Sequence, residues 1–185
     1  MSDQLQKSVM DSETIYTELM IPSYANFGGK IHGGILLSLM DKVAFICASK
    51  HSGQYCVTVA VEGVEFKQAV EVGELVTIKA SIIYVGKTTM IVGMRVESFK
   101  PTDGIVRHTN SCYFTMAAKD SEGNLTTVPG IILENEVQLR RFCKGKIIRK
   151  LSLEKRELLK TAVKDQQFNE LKGECQETDK CFLTN

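Results

Sequence analysis

The sequence predicts an α+β domain in which an antiparallel five-stranded sheet wraps one central helix, with a helical extension at the C-terminus. Three observations carry this. One apolar helix candidate opens at a glycine pair, Gly33–Gly34, early in the chain. Four β-branched segments joined by short turns follow it between residues 56 and 119. Beyond Pro129 the chain turns charged and helical in character. A strand, a helix and then meandering strands make an α+β order.

Taken in order, residues 1–12 are polar and are expected to be disordered. Residues 14–21 ("TIYTELMI") form a short strand stopped by Pro22. A glycine-bearing loop leads to a helix from Gly33–Gly34 to about Lys50, before Ser52–Gly53. Residues 56–66 alternate as a strand does, with Gly63 as a bulge. Residues 74–85 and 88–99 face each other across a tight turn at Gly86–Lys87. Residues 107–119 follow the turn signal "PTDG". These segments define a domain over residues 13–130. Residues 131–173 form the extension, with a short helix and then a second one capped by Ser152 and Gly173. In that second helix Leu158, Leu159, Ala162 and Val163 make an apolar stripe suited to the body or to a second subunit. Residues 174–185 read as a flexible tail.

The totals exclude several classes. The formal net charge of the 185 residues is +1, which points to neither a nucleic-acid nor a membrane partner. No run approaches the ~20 apolar residues of a membrane span. The start lacks the basic and apolar regions of a signal peptide, so a cytoplasmic protein is expected. None of the six cysteines has CxxC spacing, which argues against a zinc or redox site. Cys47 and Cys112 sit among apolar residues as core fillers.

The stretch from Asn26 to Asp41, "NFGGKIHGGILLSLMD", puts a carboxylate inside an oily run. At ~100° per residue, Gly34, Ser38, Asp41, Lys42, Phe45 and Ser49 fall on one arc of the helix. Asp41 thus lies two turns from Gly34 on the same side. Helix-start N–H groups have no internal partner and carry partial positive charge. They make an oxyanion site for a carbonyl that becomes tetrahedral. A carboxylate on the same stripe is placed to activate a water. Spacing alone leaves the commoner reading open, a solvated aspartate below a glycine turn. The glycines lack the order of a phosphate loop.

That stretch resembles the N-x-x-G-x-[IV]-[HF]-G-G-x-[IL]-[LM]-x-x-x-D signature of hotdog-fold acyl-CoA thioesterases. Residues 57–76 ("VTVAVEGVEFKQAVEVGELV") and 85–96 ("VGKTTMIVGMRV") are similar to that family's second strand and its hairpin. The resemblance covers roughly residues 14–129. It implies an acyl-CoA hydrolase whose sites lie at a homodimer interface, with trimers of dimers common. Asp41 would be the general base or a nucleophile, Asn26 would come from the partner's loop, and Gly34 would supply the oxyanion N–H. Thr58 matches a hydroxyl position near the site. Gly33, Lys87, Thr88 and Thr89 are candidates for contacting coenzyme A, which is part of the substrate. No further cofactor is required, because a thioester is already activated.

The chain departs from the family at Thr89, where serine is usual, and at Ala69, where proline is common. His32 stands where the family also has Phe, so it is read as structural. His51 fits a helix C-terminus and His108 a strand surface. The stretch "RRFCKGKIIRK" at 140–150 holds six cations, which suit coenzyme A phosphates or solvent. Two alternatives stay open: a non-hydrolytic acyl-CoA sensor, and a hydroxyacyl-thioester dehydratase on the same fold.

Overall fold

The computed structural model describes residues 5–161. The elements run β1 (Gln6–Ser8), α1 (Val9–Ser12), β2 (Thr14–Leu19), a 3₁₀ turn (Pro22–Tyr24), α2 (Gly33–Ser52), β3 (Tyr55–Glu62), β4 (Leu75–Val85), β5 (Thr89–Lys100), β6 (Ile105–Lys119), β7 (Gly130–Ile132) and α3 (Glu136–Thr161). Five strands form one antiparallel sheet in the order β2-β4-β5-β6-β3. The predicted sheet and central helix are both present.

One face of α2 builds the core. Leu36, Leu39, Met40, Val43 and Cys47 pack against alternate residues of the sheet, among them Val76, Ile78, Ile82, Val92, Phe114 and Met116. Desolvation pushes the Cys47 and Cys112 thiols up to about 12, as suits core fillers. The helix ends where Gly53 takes φ 68° and returns its N–H to the Ser49 carbonyl. His51, in the last turn, is fully buried. Its Nε2 donates to the Pro129 carbonyl at 3.1 Å, and burial lowers its pKa. It is therefore a neutral core residue and not the cationic partner of a helix dipole. His108 is half-buried and bonded within its own strand, with Nε2 at 2.9 Å from the Asn110 carbonyl and the Ser111 hydroxyl.

Four expectations are corrected. Residues 6–12, expected to be disordered, form β1 and α1. The strand β1 pairs in parallel with β7, and Ser8 and Asp11 close a capping box on α1. The Ser12 hydroxyl also accepts the Ile82 N–H at 3.0 Å, tying this segment to β4. Gly63 is not a bulge: at φ 65° it lies just past the end of β3, and the irregularity falls between Thr58 and Ala60. The compact body does not end near residue 130 but runs through Lys146, with a second unit from Ile147. Within that body Phe142 packs on Tyr84 at 5.2 Å, and Gly145 lies so close to β4 that a Cβ would come within 2.6 Å of Tyr84 Cβ. Finally, the two short helices are one, α3, which passes through Ser152 without a cap. Leu158 and Leu159 are exposed. Ala162, Val163, Gly173 and the tail lie outside the described residues. Among the described residues no helix is long and apolar enough to cross a membrane.

Candidate active site

Asp41 stands in the third turn of α2, on the face turned away from the core. That face is less polar than the wheel predicts, because Leu37 and Ile46 are exposed there as well as Phe45. Thr58 reaches it from β3, where the chain bulges just after Thr58. The Thr58 hydroxyl donates to Asp41 Oδ1 at 2.6 Å, in the short range of a bond to an ionised acceptor. Met116 Sδ lies 3.4 Å from the same hydroxyl. A hydroxyl has one proton, and the carboxylate is the stronger acceptor. Asp41 Oδ2 has no partner among the described residues.

The pair lines a cleft of about 570 Å³ between α2 and β3. Phe45, Ile46, Tyr55, Val57 and Met116 make most of its wall, and Lys42 stands at its edge. Phe45 and Tyr55 meet edge-on at 5.8 Å. The cleft offers one held carboxylate among mostly apolar side chains.

Asn26, Gly33 and Gly34 do not line this cleft in a single chain. Asn26 occupies the loop before α2, where its Oδ1 accepts the N–H groups of Gly28 at 2.9 Å and Lys30 at 3.2 Å. Its amide Nδ2 is left as the group it can present outward. The adjoining Phe27 is fully exposed.

His32 is the N-cap of α2, and its Nδ1 accepts the Gly34 N–H at 2.9 Å. The Gly34 N–H is thus engaged, and a Cβ there would lie 2.9 Å from the imidazole. The Gly33 N–H has no acceptor among the described residues. The Phe66 ring comes within 3.5 Å of where a Gly33 Cβ would stand. A histidine cap was missed in the sequence because Ser, Thr, Asp and Asn are the usual signals.

Lys87 and Thr88 form the β4–β5 turn, and Thr89 opens β5. The Lys87 and Thr88 carbonyls accept the N–H groups of Val128 and Ala118 at 3.1 Å each. Met90 and Thr58 both register with Met116 on β6, so the turn lies at the same end of the sheet as Thr58, with β6 between β5 and β3. None of the three lines the cleft. Among the described residues no cluster of His, Cys, Asp or Glu has metal-binding geometry.

Comparison with known proteins adds the family. A model described as the thioesterase superfamily matches residues 28–105. Protein VdlD of Helicobacter pylori is 42% identical over 131 residues, covering 71% of this chain and 75% of VdlD. The crystal structure of an apo-hexameric acyl-CoA thioesterase is 31% identical with a TM-score of 0.77, covering 83% of this chain and 97% of that one. The acyl-CoA hydrolase of Staphylococcus aureus shares the fold, at a TM-score of 0.78 and 23% identity over 86% of this chain and 98% of its own. Structures of that enzyme exist with alanine at an aspartate, a threonine and an asparagine. The chain belongs to the thioesterase superfamily, among its hotdog-fold acyl-CoA thioesterases.

Proposed function

We propose that the protein hydrolyses fatty acyl-CoA to free fatty acid and coenzyme A, with Asp41 as general base at a site shared by two protomers. One observation carries the reading. Thr58 holds Asp41 Oδ1 and leaves Oδ2 without a partner among the described residues, in a cleft lined mostly by apolar side chains. In this reading Oδ2 takes a proton from water as the water oxygen attacks the thioester carbonyl carbon. The carbonyl oxygen gains negative charge and accepts from the Gly33 N–H and from Asn26 Nδ2. Collapse of the tetrahedral intermediate breaks the C–S bond, and the proton on Asp41 goes to the departing thiolate.

Sharing the site rests on what one chain lacks. The cleft holds the carboxylate but neither the asparagine nor the helix-start N–H. β3 is an edge strand carrying exposed Tyr55, Val59 and Val61, next to exposed Leu37, Phe45 and Ile46 on α2. Unprotected apolar edges invite pairing. A second copy on this face would bring its Asn26 loop, with the exposed Phe27, to the cleft. The hexameric state of the apo thioesterase supports a trimer of such dimers. Lys87, Thr88 and Thr89 stay candidates for the coenzyme A end of the substrate. The buried free thiols of Cys47, Cys56 and Cys112 suit the cytoplasm.

The dehydratase reading loses support because His32 is a helix cap and does not line the Asp41 cleft. The test is coenzyme A release from acyl-CoAs of increasing chain length by wild type and Asp41→Ala. Wild type should turn over at least one chain length, and the variant should lose about 10²- to 10⁴-fold. An inert wild type that binds acyl-CoA would favour the sensor reading. A variant with full rate would remove Asp41 from the chemistry.

A further inference from the structure

Phe27 is the most exposed large apolar side chain among the described residues. A single exposed apolar residue is ordinary on a protein surface. This one is presented by a backbone that is held throughout. The Asn26 N–H donates to the Lys30 carbonyl at 2.7 Å, and the Gly29 N–H to the Asn26 carbonyl at 3.0 Å. Asn26 Oδ1 takes the Gly28 and Lys30 N–H groups from inside the loop. Gly29 makes the turn at φ 73°, in the left-handed region that glycine adopts freely. At the base, Ala25 and Ile31 form an antiparallel bridge. Ile31 is buried and donates its N–H to the Val70 carbonyl at 2.9 Å, while Lys30 pairs with Glu71. The loop is thus fixed to the body, and with two glycines behind it the ring is the side chain that its tip projects.

Two features say what this ring meets. Asn26 and Phe27 are neighbours, with Cα atoms ~3.8 Å apart. If Asn26 Nδ2 works at the thioester carbonyl in a partner's cleft, the ring arrives beside the same substrate. The second feature is the cleft itself. Its apolar wall comes from Phe45 and Ile46 on α2, Tyr55 and Val57 on β3, and Met116 on β6. Phe45, Ile46 and Tyr55 are exposed within one chain. An acyl chain laid along that wall keeps its other side in water unless an apolar group covers it, and each methylene left wet forgoes its burial.

We infer that Phe27 of one protomer covers the acyl chain bound in the cleft of its partner and biases the enzyme toward longer chains. The inference rests on the hydrolytic reading with its shared site, and adds to it a specificity residue that acts across the interface. Asp41 and Asn26 act at the carbonyl, which every acyl-CoA has. The ring acts on the carbons beyond it. Its loss should therefore leave the shortest substrate little changed and penalise the others increasingly with length.

The test is steady-state kinetics of the full chain on acyl-CoAs from acetyl to palmitoyl, with wild type, Phe27→Ala and Phe27→Leu. Phe27→Ala should keep kcat/KM within about twofold on the shortest substrate that wild type hydrolyses. On the longest it should lose about tenfold or more, chiefly through KM. Phe27→Leu should recover most of that loss. Subunit mixing then places the residue. When Asp41→Ala and Asn26→Ala chains are refolded together, the one intact site takes its Asn26 from the Asp41→Ala chain. Phe27→Ala added to that chain should reproduce the length-dependent loss. Added to the Asn26→Ala chain instead, it should leave the recovered activity unchanged at every length. No loss, an equal loss at every length, or a loss that follows the Asn26→Ala chain overturns the inference and leaves hydrolysis by Asp41 standing. A wild type inert on every acyl-CoA, or mixed dimers that recover no activity, would remove the shared hydrolytic site and the inference with it.

Discussion

The Thr58 hydroxyl donates to Asp41 Oδ1 at 2.6 Å, joining an edge strand to the exposed face of the central helix. The bond fixes one carboxylate oxygen, and in the proposed mechanism the other takes the proton from water. Thr58→Val keeps the shape and removes the donor. A hydrogen bond to a charged group contributes about 1.5 to 3 kcal/mol, so kcat should fall roughly ten- to a hundredfold with little change in KM. Thr58→Ser should recover most of the rate. Steady-state kinetics on the best acyl-CoA decide it, and an unchanged kcat in Thr58→Val would make the contact structural only.

Asn26 divides its amide between two jobs. Oδ1 holds the loop through the Gly28 and Lys30 N–H groups, and Nδ2 is left to donate. Asn26→Asp preserves the acceptor and deletes the donor. It should melt close to wild type yet lose about 10² or more in kcat, the order seen when one oxyanion donor is removed. Normal activity in a well-folded Asn26→Asp protein would exclude the donor role.

The histidine cap separates stability from catalysis at the helix start. His32→Phe removes the acceptor of the Gly34 N–H and should cost about 1 kcal/mol of stability. The rate should hold, because the Gly33 N–H is untouched. Denaturant unfolding and kinetics on the same sample read both effects. A large fall in kcat would tie His32 to the chemistry.

Much of this was legible in the sequence, and the exceptions have a common cause. Helix α2 announces itself through Gly33 at its start and Gly53 at its end, both local signals. The long strands show in β-branched alternation. What escaped depends on distant partners. The three-residue strand β1 exists because β7 pairs with it, 124 residues on between Gln6 and Gly130 in register. Leu37 and Ile46 look like core on a wheel that is mostly apolar, and only the sheet's position decides which side is covered. The Thr58–Asp41 bond spans two elements and a bulge. Ser152 reads as a cap by residue type, yet the flanking residues continue one helix through it.

His51 makes stability depend on pH. Burial lowers its folded pKa below the ordinary 6.5, so the unfolded chain binds the proton more readily. Stability should therefore be complete above about 6.5 and fall as pH drops from there toward the folded value. Lys7 adds to this lowering, and Asp11 and the Pro129 carbonyl oppose it. His51→Gln keeps a donor for Pro129 and should flatten the slope between neutral and mildly acid pH. Thermal melts of both proteins across that window test it, and parallel slopes would remove His51 as the cause.

The most direct test of the shared site is to mix subunits. Asp41→Ala and Asn26→Ala proteins, each inactive alone, are unfolded together and refolded as a mixture. In a mixed dimer one site carries both changes and the other carries neither. Random pairing of equal amounts should then restore about a quarter of the wild-type rate per chain. Refolded mixtures that form dimers yet stay as inactive as either parent would contradict a site built from Asp41 of one protomer and Asn26 of its partner.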